Sequence, residues 1–259
     1  MNDVRISAYL ITLNEGEHLD EVLASLGGVD EIVIMDSGST DNTLAIAHQH
    51  GARVIHQPWL GFARQKAKAM EACSHEWLIN LDGDEVLPAG AIDSIRQAIH
   101  EHPNHCFAIK RDDLFMGAPM TGRRMRYFKR IYPKSQSKWR ETDLVHEHID
   151  IKLPCINLPI VFKHYGYDTI DKMLLKMNQY AKLKAEQRRQ KGRPFSIARL
   201  LVIFPLAFLK VYLLNRHIAC GWRGFIRAWI QASYFFLTEA HLYQQAYMSK
   251  LPSDDHPTK

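Results

Sequence analysis

In the first hundred residues, short apolar segments rich in β-branched residues alternate with longer segments of helical periodicity. The apolar segments are Val4–Leu13, Glu31–Met35, Ala52–His56 and Glu76–Leu81. The helical segments, with apolar residues on one face, are residues 19–26, Asn42–His50, Phe62–Cys73 and Ala89–His100. Strands joined by helices of this length form βαβ units, so the sequence predicts an α/β fold with a mostly parallel sheet.

Charge divides the 259 residues unevenly. Residues 1–171 carry 18 basic and 24 acidic side chains, whereas residues 172–259 carry 15 basic and 4 acidic ones. A hydrophobic content of 46% excludes a disordered or fibrous chain. We predict one domain over residues 1–168, with halves at 1–104 and 105–168. A basic amphipathic helical region follows over 169–250, and a disordered tail over 251–259. The basic region indicates an anionic partner, either a membrane surface or nucleic acid.

The C-terminal region combines apolar stripes with basic residues. Ile197–Leu214 is strongly apolar, but Arg199, Pro205 and Lys210 interrupt it, which favours a helix lying on a membrane over one that spans it. From Trp222 onward, aromatic and aliphatic residues follow the helical period, and Arg223, Arg227 and Gln231 occupy another face. Such a helix also suits packing against the rest of the chain or against a second copy. The four scattered cysteines are expected to be reduced thiols.

Polar residues follow the first two predicted strands. Thr12-Leu13-Asn14-Glu15 ends the first strand, and Asp36-Ser37-Gly38-Ser39-Thr40-Asp41 follows the second. The carboxyl ends of parallel strands are where open α/β sheets bind ligands. A carboxylate at Asp36 can accept hydrogen bonds from a base NH or a ribose hydroxyl. Helix capping alone accounts for Asn14 and for residues 38–41, but it leaves Asp36 unexplained.

A third polar group, Asp82-Gly83-Asp84-Glu85, follows the fourth strand. Three carboxylates within four residues repel one another unless a cation neutralises them, and oxygen ligands suit Mg²⁺ or Mn²⁺. A solvated acidic turn is the alternative interpretation. Because all three groups end predicted parallel strands, they are expected to converge at one sheet edge. The combination indicates a uracil and ribose pocket beside a metal-bound diphosphate.

These motifs resemble those of family 2 inverting glycosyltransferases, which have the Rossmann-like GT-A fold of nucleotide-diphospho-sugar transferases. The resemblance runs from about Ile6 to Tyr243 and narrows to the lipopolysaccharide core β-1,4-glucosyltransferase branch. The segments that resemble this branch are residues 57–62, Gln65-Lys66, residues 144–147, His164-Tyr165 and residues 178–184. That branch usually has Asp-Ala-Asp where this chain has Asp82-Gly83-Asp84, a difference expected to leave metal binding intact.

For the donor, the resemblance implies UDP-glucose. Thr12, Asn14, Glu15 and Asp36 would hold the uridine, and Lys66 would offset the diphosphate charge. A solvated helical lysine is the alternative for Lys66.

For the chemistry, the resemblance implies a metal-assisted single displacement. Asp84 would ligate Mg²⁺ or Mn²⁺, Asp82 would contact the ribose or the metal, and His146 would be a further ligand or a neutral donor. Glu147 would be the general base that deprotonates the acceptor hydroxyl, with Asp143 as the alternative base. The metal would stabilise the departing UDP, and inversion requires no covalent sugar–enzyme intermediate.

For the acceptor, the resemblance implies a heptose of the lipid-linked core oligosaccharide at the cytoplasmic face of the bacterial inner membrane. Residues 110–140 hold ten Lys or Arg and two Asp, so they are expected to face a phosphorylated glycolipid, while the basic tail binds anionic lipid. The sequence leaves undecided whether the tail forms a homodimer.

Three other classes of protein compete. A sugar-nucleotide pyrophosphorylase would need a Gly-rich, Arg-containing loop where residues 14–17 are acidic, and an NAD-linked dehydrogenase would need a GxGxxG motif that the sequence lacks. A non-enzymatic membrane or nucleic-acid adaptor agrees with the basic tail but leaves the aspartate motifs unexplained. Apolar stripes between the basic residues favour a membrane over nucleic acid. A transferase with another UDP-sugar and a surface-polysaccharide acceptor also remains possible.

Overall fold

The computed structural model describes residues 4–120, 122–140, 148–166 and 169–248, and the chain divides into two compact units. Unit 1 comprises residues 1–114 and 125–166. Unit 2 comprises residues 115–124 and 167–259. Each unit has its own core, so the two are described separately.

The first part of unit 1 has the predicted alternation of strands and helices. Its strands are β1 (Ile6–Thr12), β2 (Glu31–Asp36), β3 (Arg53–His56), β4 (Trp77–Asn80) and the short β5 (Glu85–Val86). Its helices are α1 (Leu19–Ser25), α2 (Thr43–Gln49), α3 (Phe62–Ala72) and α4 (Ala91–Glu101). Strands β1, β2, β3 and β4 pair in parallel, which confirms the predicted fold class.

The second part adds strands of both directions. They are β6 (Cys106–Phe115), β7 (Ala118–Pro119, in unit 2), β8 (Arg126–Pro133), β9 (Ser137–Trp139), β10 (Ile149–Ile151) and β11 (Cys155–His164). The sheet order is β3-β2-β1-β4-β8-β6-β11-β5, while β9 and β10 form a separate antiparallel pair. Strand β8 is antiparallel to both β4 and β6, whereas β6 and β11 are parallel.

The sheet of unit 1 is covered on both faces. Successive strand residues point to opposite faces, so Leu10 of β1 packs in one cluster with residues of α1 and α4, and Tyr9 packs in another with residues of α3. Strand β1 is buried along its whole length. The polar residues that follow the strands are therefore held at the edge of a rigid, close-packed platform.

Unit 2 is mainly helical. Its helices are α5 (Ile170–Gln190), α6 (Ile197–Leu209), continued by a π-helical turn at Lys210–Leu214, and α7 (Gly221–Met248), which follows a 3₁₀ turn at His217–Cys220. The side chains of Thr169 and Ser196 cap α5 and α6 by accepting from the backbone NH groups of Lys172 and Arg199. Its core contains Phe115, Met120, Met173, Met177 and Ile230.

The basic face predicted on α7 is wrong in one respect. Arg227 is only 1% exposed, and its guanidinium lies 5.7 Å from the ring centroid of Phe115. Arg223 donates to the backbone carbonyls of Phe115 and Ala118. These two arginines face residues 115–118 because the carbonyl groups and aromatic ring there need cationic or donor partners. They do not form a solvated face.

Candidate active site

Strands β1 and β2 end side by side in register, with Thr12 next to Asp36. The Thr12 hydroxyl donates to Oδ2 of Asp36 at 2.9 Å. Both side chains are buried, at 3% and 2% exposure respectively. The structure therefore brings together these two predicted donor-site residues at the carboxyl edge of the sheet.

The carboxylate of Asp36 organises the loop that follows it. Its Oδ1 accepts from the backbone NH groups of Gly38 and Ser39, both at 2.8 Å, and its Oδ2 also accepts from the Ser39 hydroxyl at 2.5 Å. Gly38 has φ of 103°, a conformation that favours glycine. Burial raises the pKa of Asp36, but the hydrogen bonds from Ser39, Gly38 and Thr12 outweigh it and hold the pKa below its usual value. Asp36 is thus an ionised group that shapes the loop, and its contact with uridine stays a prediction.

Asn14 and Glu15 join the same network through the loop after β1. Asn14, with φ of 56°, receives the backbone NH of Thr40 on its side-chain oxygen at 2.8 Å. The backbone NH of Glu15 donates to the Thr43 hydroxyl at 2.9 Å. These bonds hold the two loops together. The backbone of Asn14 lies in the left-handed region, which asparagine adopts more readily than most residues.

The side chain of Glu15 lies against the Asp82-Gly83-Asp84 turn. A Cβ atom added at Gly83 would come within 2.9 Å of Cγ of Glu15. Glycine at position 83 therefore lets the loop after β1 approach the turn after β4 closely. The predicted convergence of the first and third polar groups is seen in this contact.

Asp82 is neutralised by two cations of the protein itself. Lys66 Nζ lies 2.8 Å from Oδ1 of Asp82, and Nη2 of Arg130 lies 3.3 Å from its Oδ2. Burial raises the pKa of Asp82, but Lys66 and Arg130 outweigh it and hold the pKa far below its usual value. The three carboxylates of this turn predict a neutralising cation, and the side chains of Lys66 and Arg130 relieve much of the repulsion. Lys66 therefore pairs with a carboxylate, and its contact with a diphosphate stays a prediction.

Arg130 is a site residue that the sequence analysis missed. Besides Asp82, it forms an ion pair with the fully buried Glu85, and its Nη1 donates to the Asn80 side chain at 3.1 Å. It lies on β8, which enters the sheet between β4 and β6. The basic composition of residues 110–140 was the only signal, and it did not single out this position.

Asp84 faces His164 at the end of β11, a residue that the resemblance included but to which no role in the site was assigned. Nε2 of His164 lies 3.7 Å from Oδ2 of Asp84, and its Nδ1 lies 2.8 Å from Oδ1 of Asp113. Burial lowers the pKa of His164, but the bond to Asp113 and the charge of Asp84 outweigh it and raise the pKa. Asp113 thus orients the ring so that the other nitrogen points toward Asp84, an arrangement that is common behind metal-binding histidines.

Gly166 allows the chain to pass close to this pair. A Cβ atom at position 166 would lie 2.6 Å from Nε2 of His164 and 3.3 Å from Oδ2 of Asp84. Any larger residue would enter the space between the two side chains.

A divalent cation fits the chemistry of these donors. Within the described ranges, no group of three or more His, Cys, Asp or Glu residues is arranged to hold a metal. Asp84 supplies a carboxylate oxygen, and Mg²⁺ is commonly bound by one or two carboxylates together with substrate phosphates. The imidazole nitrogen of His164 is a ligand for Mn²⁺ rather than for Mg²⁺, which prefers oxygen. Asp82 is the weaker candidate ligand, since both of its oxygens are paired with cations.

A cleft of about 730 Å³ adjoins these residues in unit 1. Lys66 forms part of its wall, with Nζ 5.5 Å from the ring centroid of Trp139. The indole NH of Trp139 donates to the Tyr9 hydroxyl at 2.9 Å, which fixes the ring. The cleft is rich in cations and lined by Lys66, Asp82, Arg111, Arg126, Tyr127, Phe128, Lys129, Arg130, Trp139, His148 and Ile149.

The predicted general bases, Glu147 and Asp143, and the predicted ligand His146 lie outside the described residues. Their roles stay predictions.

Comparison with known proteins identifies the family. The model of glycosyl transferase family 2 matches residues 7–153. The lipopolysaccharide core biosynthesis glycosyltransferase LpsC of Rhizobium meliloti is 31% identical over 262 residues, covering 96% of each chain. An uncharacterized glycosyltransferase of Rickettsia felis is 29% identical, covering 95% of this chain and 92% of that one.

Solved structures with similar chains are more distant. S. aureus TarS 1-349 is 15% identical, with a TM-score of 0.48, and the match covers 96% of this chain and 92% of that one. Glucosyl-3-phosphoglycerate synthase from Mycobacterium tuberculosis, in complex with Mn²⁺, UDP and phosphoglyceric acid, is 25% identical with a TM-score of 0.36. That match covers 42% of this chain and 43% of the other. The family match and the full-length relative establish that this chain belongs to glycosyl transferase family 2 and is a glycosyltransferase.

Proposed function

We propose that the protein transfers a hexose, glucose from UDP-glucose, onto a heptose of the lipopolysaccharide inner core with inversion at the anomeric carbon. The observation that carries the proposal is the meeting of Glu15, Asp82, Asp84 and His164 at the carboxyl edge of the sheet, beside a cation-rich cleft. The full-length similarity to an enzyme of lipopolysaccharide core biosynthesis supports this acceptor class.

In this proposal the donor lies along the ends of β1, β2 and β4. The loops fixed by Asp36 and Asn14 form the uridine pocket, with Thr12 and Glu15 at its edge. Asp84 would hold Mg²⁺ or Mn²⁺, which supplies charge stabilisation to the departing diphosphate, and His164 would add a ligand for Mn²⁺. Lys66 and Arg130 keep Asp82 ionised and in place next to that site.

Glu147 is proposed to accept the proton of the attacking hydroxyl, with Asp143 as the alternative base. General base catalysis contributes about 10²–10⁴-fold, so Glu147→Gln should lose at least 90% of wild-type turnover while folding normally.

We also propose that unit 2 binds an anionic membrane without crossing it. Among the residues described, one helical segment, Ile197–Leu214, is long and apolar enough to cross a membrane, and 11% of it is buried. Between Arg199 and Lys210, however, only ten residues are free of charge. They span about 15 Å as a helix, which is half of the roughly 30 Å hydrocarbon core. Attachment at the cytoplasmic face would keep the enzyme near a lipid-linked acceptor.

The test is a transfer assay with an inner-core acceptor and UDP-glucose, UDP-galactose or UDP-GlcNAc, with and without Mn²⁺. We expect UDP-glucose to be preferred, a β-linked product by NMR, and a loss of 10²-fold or more in Asp84→Asn, since the charge that holds the metal is removed. Asp93→Asn, the same change at an exposed residue of α4, is the matched control and should keep full activity. An α-linked product, or full activity in Asp84→Asn, would contradict the proposal.

A further inference from the structure

The two ends of the cleft in unit 1 differ in how far their positive side chains are paired with carboxylates. At the inner end, Lys66 and Arg130 are paired with Asp82 and Glu85. At the outer end, Arg111 of β6 and Arg126 of β8 lie directly opposite each other in the antiparallel register. Among the described residues that line the cleft, Asp82 is the only carboxylate. The excess of positive charge is therefore concentrated toward Arg111 and Arg126.

A pair of like charges directly across two strands is unfavourable unless something of opposite charge is nearby. Arg111 is held in place, since its Nε lies 2.9 Å from Oδ1 of Asp113 and its guanidinium lies 4.4 Å from the ring centroid of Phe128. The same Asp113 oxygen lies 2.8 Å from Nδ1 of His164. Arg126 is exposed, and in the described part of the chain no hydrogen bond or ion pair of its side chain is found.

Within this pair, Arg126 is the residue farther from the proposed donor site, because Arg111 shares Asp113 with His164. The guanidinium groups of Arg111 and Arg130 lie 4.4 and 5.9 Å from the ring centroid of Phe128, so Phe128 separates the two ends of the cleft. Arg126 is four residues from Arg130, at most about 13 Å along β8, since the pairing of β8 with β6 is irregular next to Arg130. The donor phosphates would lie near Asp82 and Asp84, where Lys66 and Arg130 already supply cations, so an anion at Arg126 is assigned to another part of the substrate.

We propose that Arg126, together with Arg111, binds a negatively charged substituent, a phosphate or a carboxylate, on the acceptor saccharide. Guanidinium groups bind such oxyanions through paired hydrogen bonds, and two of them converging from adjacent strands favour an oxyanion over a neutral hydroxyl. The inference rests on the proposed function, because it assigns this end of the cleft to the acceptor. Arg126 is a specificity residue and takes no part in the displacement itself.

The test compares Arg126→Ala with Lys68→Ala, which removes one exposed cation of α3 outside the cleft. Arg126 is the better target of the pair, since Arg111 also contacts the Asp113 that orients His164. The acceptors are an intact inner-core oligosaccharide, the same molecule after removal of phosphate, and the same molecule after reduction of its carboxylates. For each one we would measure binding by calorimetry without donor, and the KM and kcat of transfer.

We expect Arg126→Ala to weaken acceptor binding and raise its KM about 10- to 100-fold, the usual range for a lost charged hydrogen bond. The kcat, the KM for UDP-glucose and the melting temperature should stay near wild type, as in Lys68→Ala. On the acceptor that lacks the recognised group, wild type and Arg126→Ala should become equal, which identifies that group as phosphate or carboxylate.

Four outcomes separate this inference from the proposed function. Transfer with no greater effect of Arg126→Ala than of Lys68→Ala overturns the arginine site alone. An Arg126 effect that persists undiminished on both modified acceptors also overturns it. Arg126-dependent binding without transfer of any hexose supports the anion site and contradicts the proposed reaction. No binding of any acceptor and no transfer overturn both.

Discussion

The two units of this molecule differ in how much apolar surface they expose. In unit 1, large apolar side chains form two buried clusters around the sheet, and the charged side chains of Glu85 and Arg130 are buried as well. In unit 2, Glu239 is fully buried and Arg227 nearly so. Several large apolar side chains of unit 2 are exposed by half or more of their surface: Ile197, Leu201, Leu206, Leu214, Trp222 and Trp229.

The difference indicates two different surroundings for one chain. Exposed apolar patches of this extent mark interaction surfaces with a membrane or another protein, whereas isolated exposed leucines need no explanation. Unit 1 is proposed to hold a soluble, charged donor, whereas unit 2 presents apolar side chains outward. Glu239 accounts for part of the internal order of unit 2, because it joins Arg188 of α5 and Arg199 of α6 to α7.

A leucine-to-alanine change in each unit should give the largest difference in the free energy of unfolding. Leu10→Ala removes a fully buried side chain of β1, so we expect unfolding to become easier by about 3 kcal/mol, within the 2–5 kcal/mol usual for such a change. Leu201, 70% exposed, should cost less than about 0.5 kcal/mol when changed to Ala. Denaturant titration of both variants in one detergent measures the two values.

Membrane binding should be affected more by Leu201→Ala than by Leu10→Ala, the reverse of the order expected for stability. Leu201→Ala should weaken vesicle binding by up to about tenfold through lost apolar contact with lipid, whereas Leu10→Ala should bind vesicles as the wild type does once folded. Equal losses of stability in the two variants would remove the contrast between the units.

The buried carboxylate of unit 2 gives a smaller effect. Glu239→Ala leaves Arg188 and Arg199 without their shared partner, and we expect a loss of about 2–3 kcal/mol. The value lies below that for a fully buried pair, since the two arginine side chains are 24% and 33% exposed.

Glu186 is the matched control for this change, because it pairs with Arg189 on the exposed face of α5. Glu186→Ala should leave the melting curve unchanged, since exposed ion pairs contribute little to stability. Trp222 and Trp229 on α7 report unit 2 by fluorescence. A melting curve of Glu239→Ala that matches the control would show that the buried carboxylate does not hold the three helices together.

How far the sequence predicts this structure depends on how local the signal is. The strands β1 to β4, their helices and the polar residues at their ends follow from periodicity over short segments, and Asp36, Asp82 and Asp84 were found in this way. Arg130 was missed, and His164 was given no role in the site, because they reach the site from β8 and β11. Those strands take their places through pairing with residues distant in sequence, and their register is not visible in local periodicity.

Two further features required three-dimensional contacts. The saturation of Asp36 by Ser39 and Gly38 depends on the path of one loop, which composition does not reveal. The burial of Arg227 depends on residues 115–120, which belong to unit 2 although they are more than a hundred residues earlier in the chain. From the helical periodicity of the sequence alone, Arg227 is predicted to lie on the surface.

The most direct test of the proposal that unit 1 binds the donor and unit 2 the membrane measures both kinds of binding on the same preparations. UDP-glucose binding with Mn²⁺ is measured by calorimetry, and flotation is measured with vesicles of phosphatidylglycerol and phosphatidylethanolamine. The account predicts that Asp84→Asn loses donor binding and still floats, while the double variant Leu201→Asp, Leu206→Asp loses flotation and still binds UDP-glucose. If either variant loses both properties while remaining folded, or if neither loses its own, the division of roles between the units is contradicted.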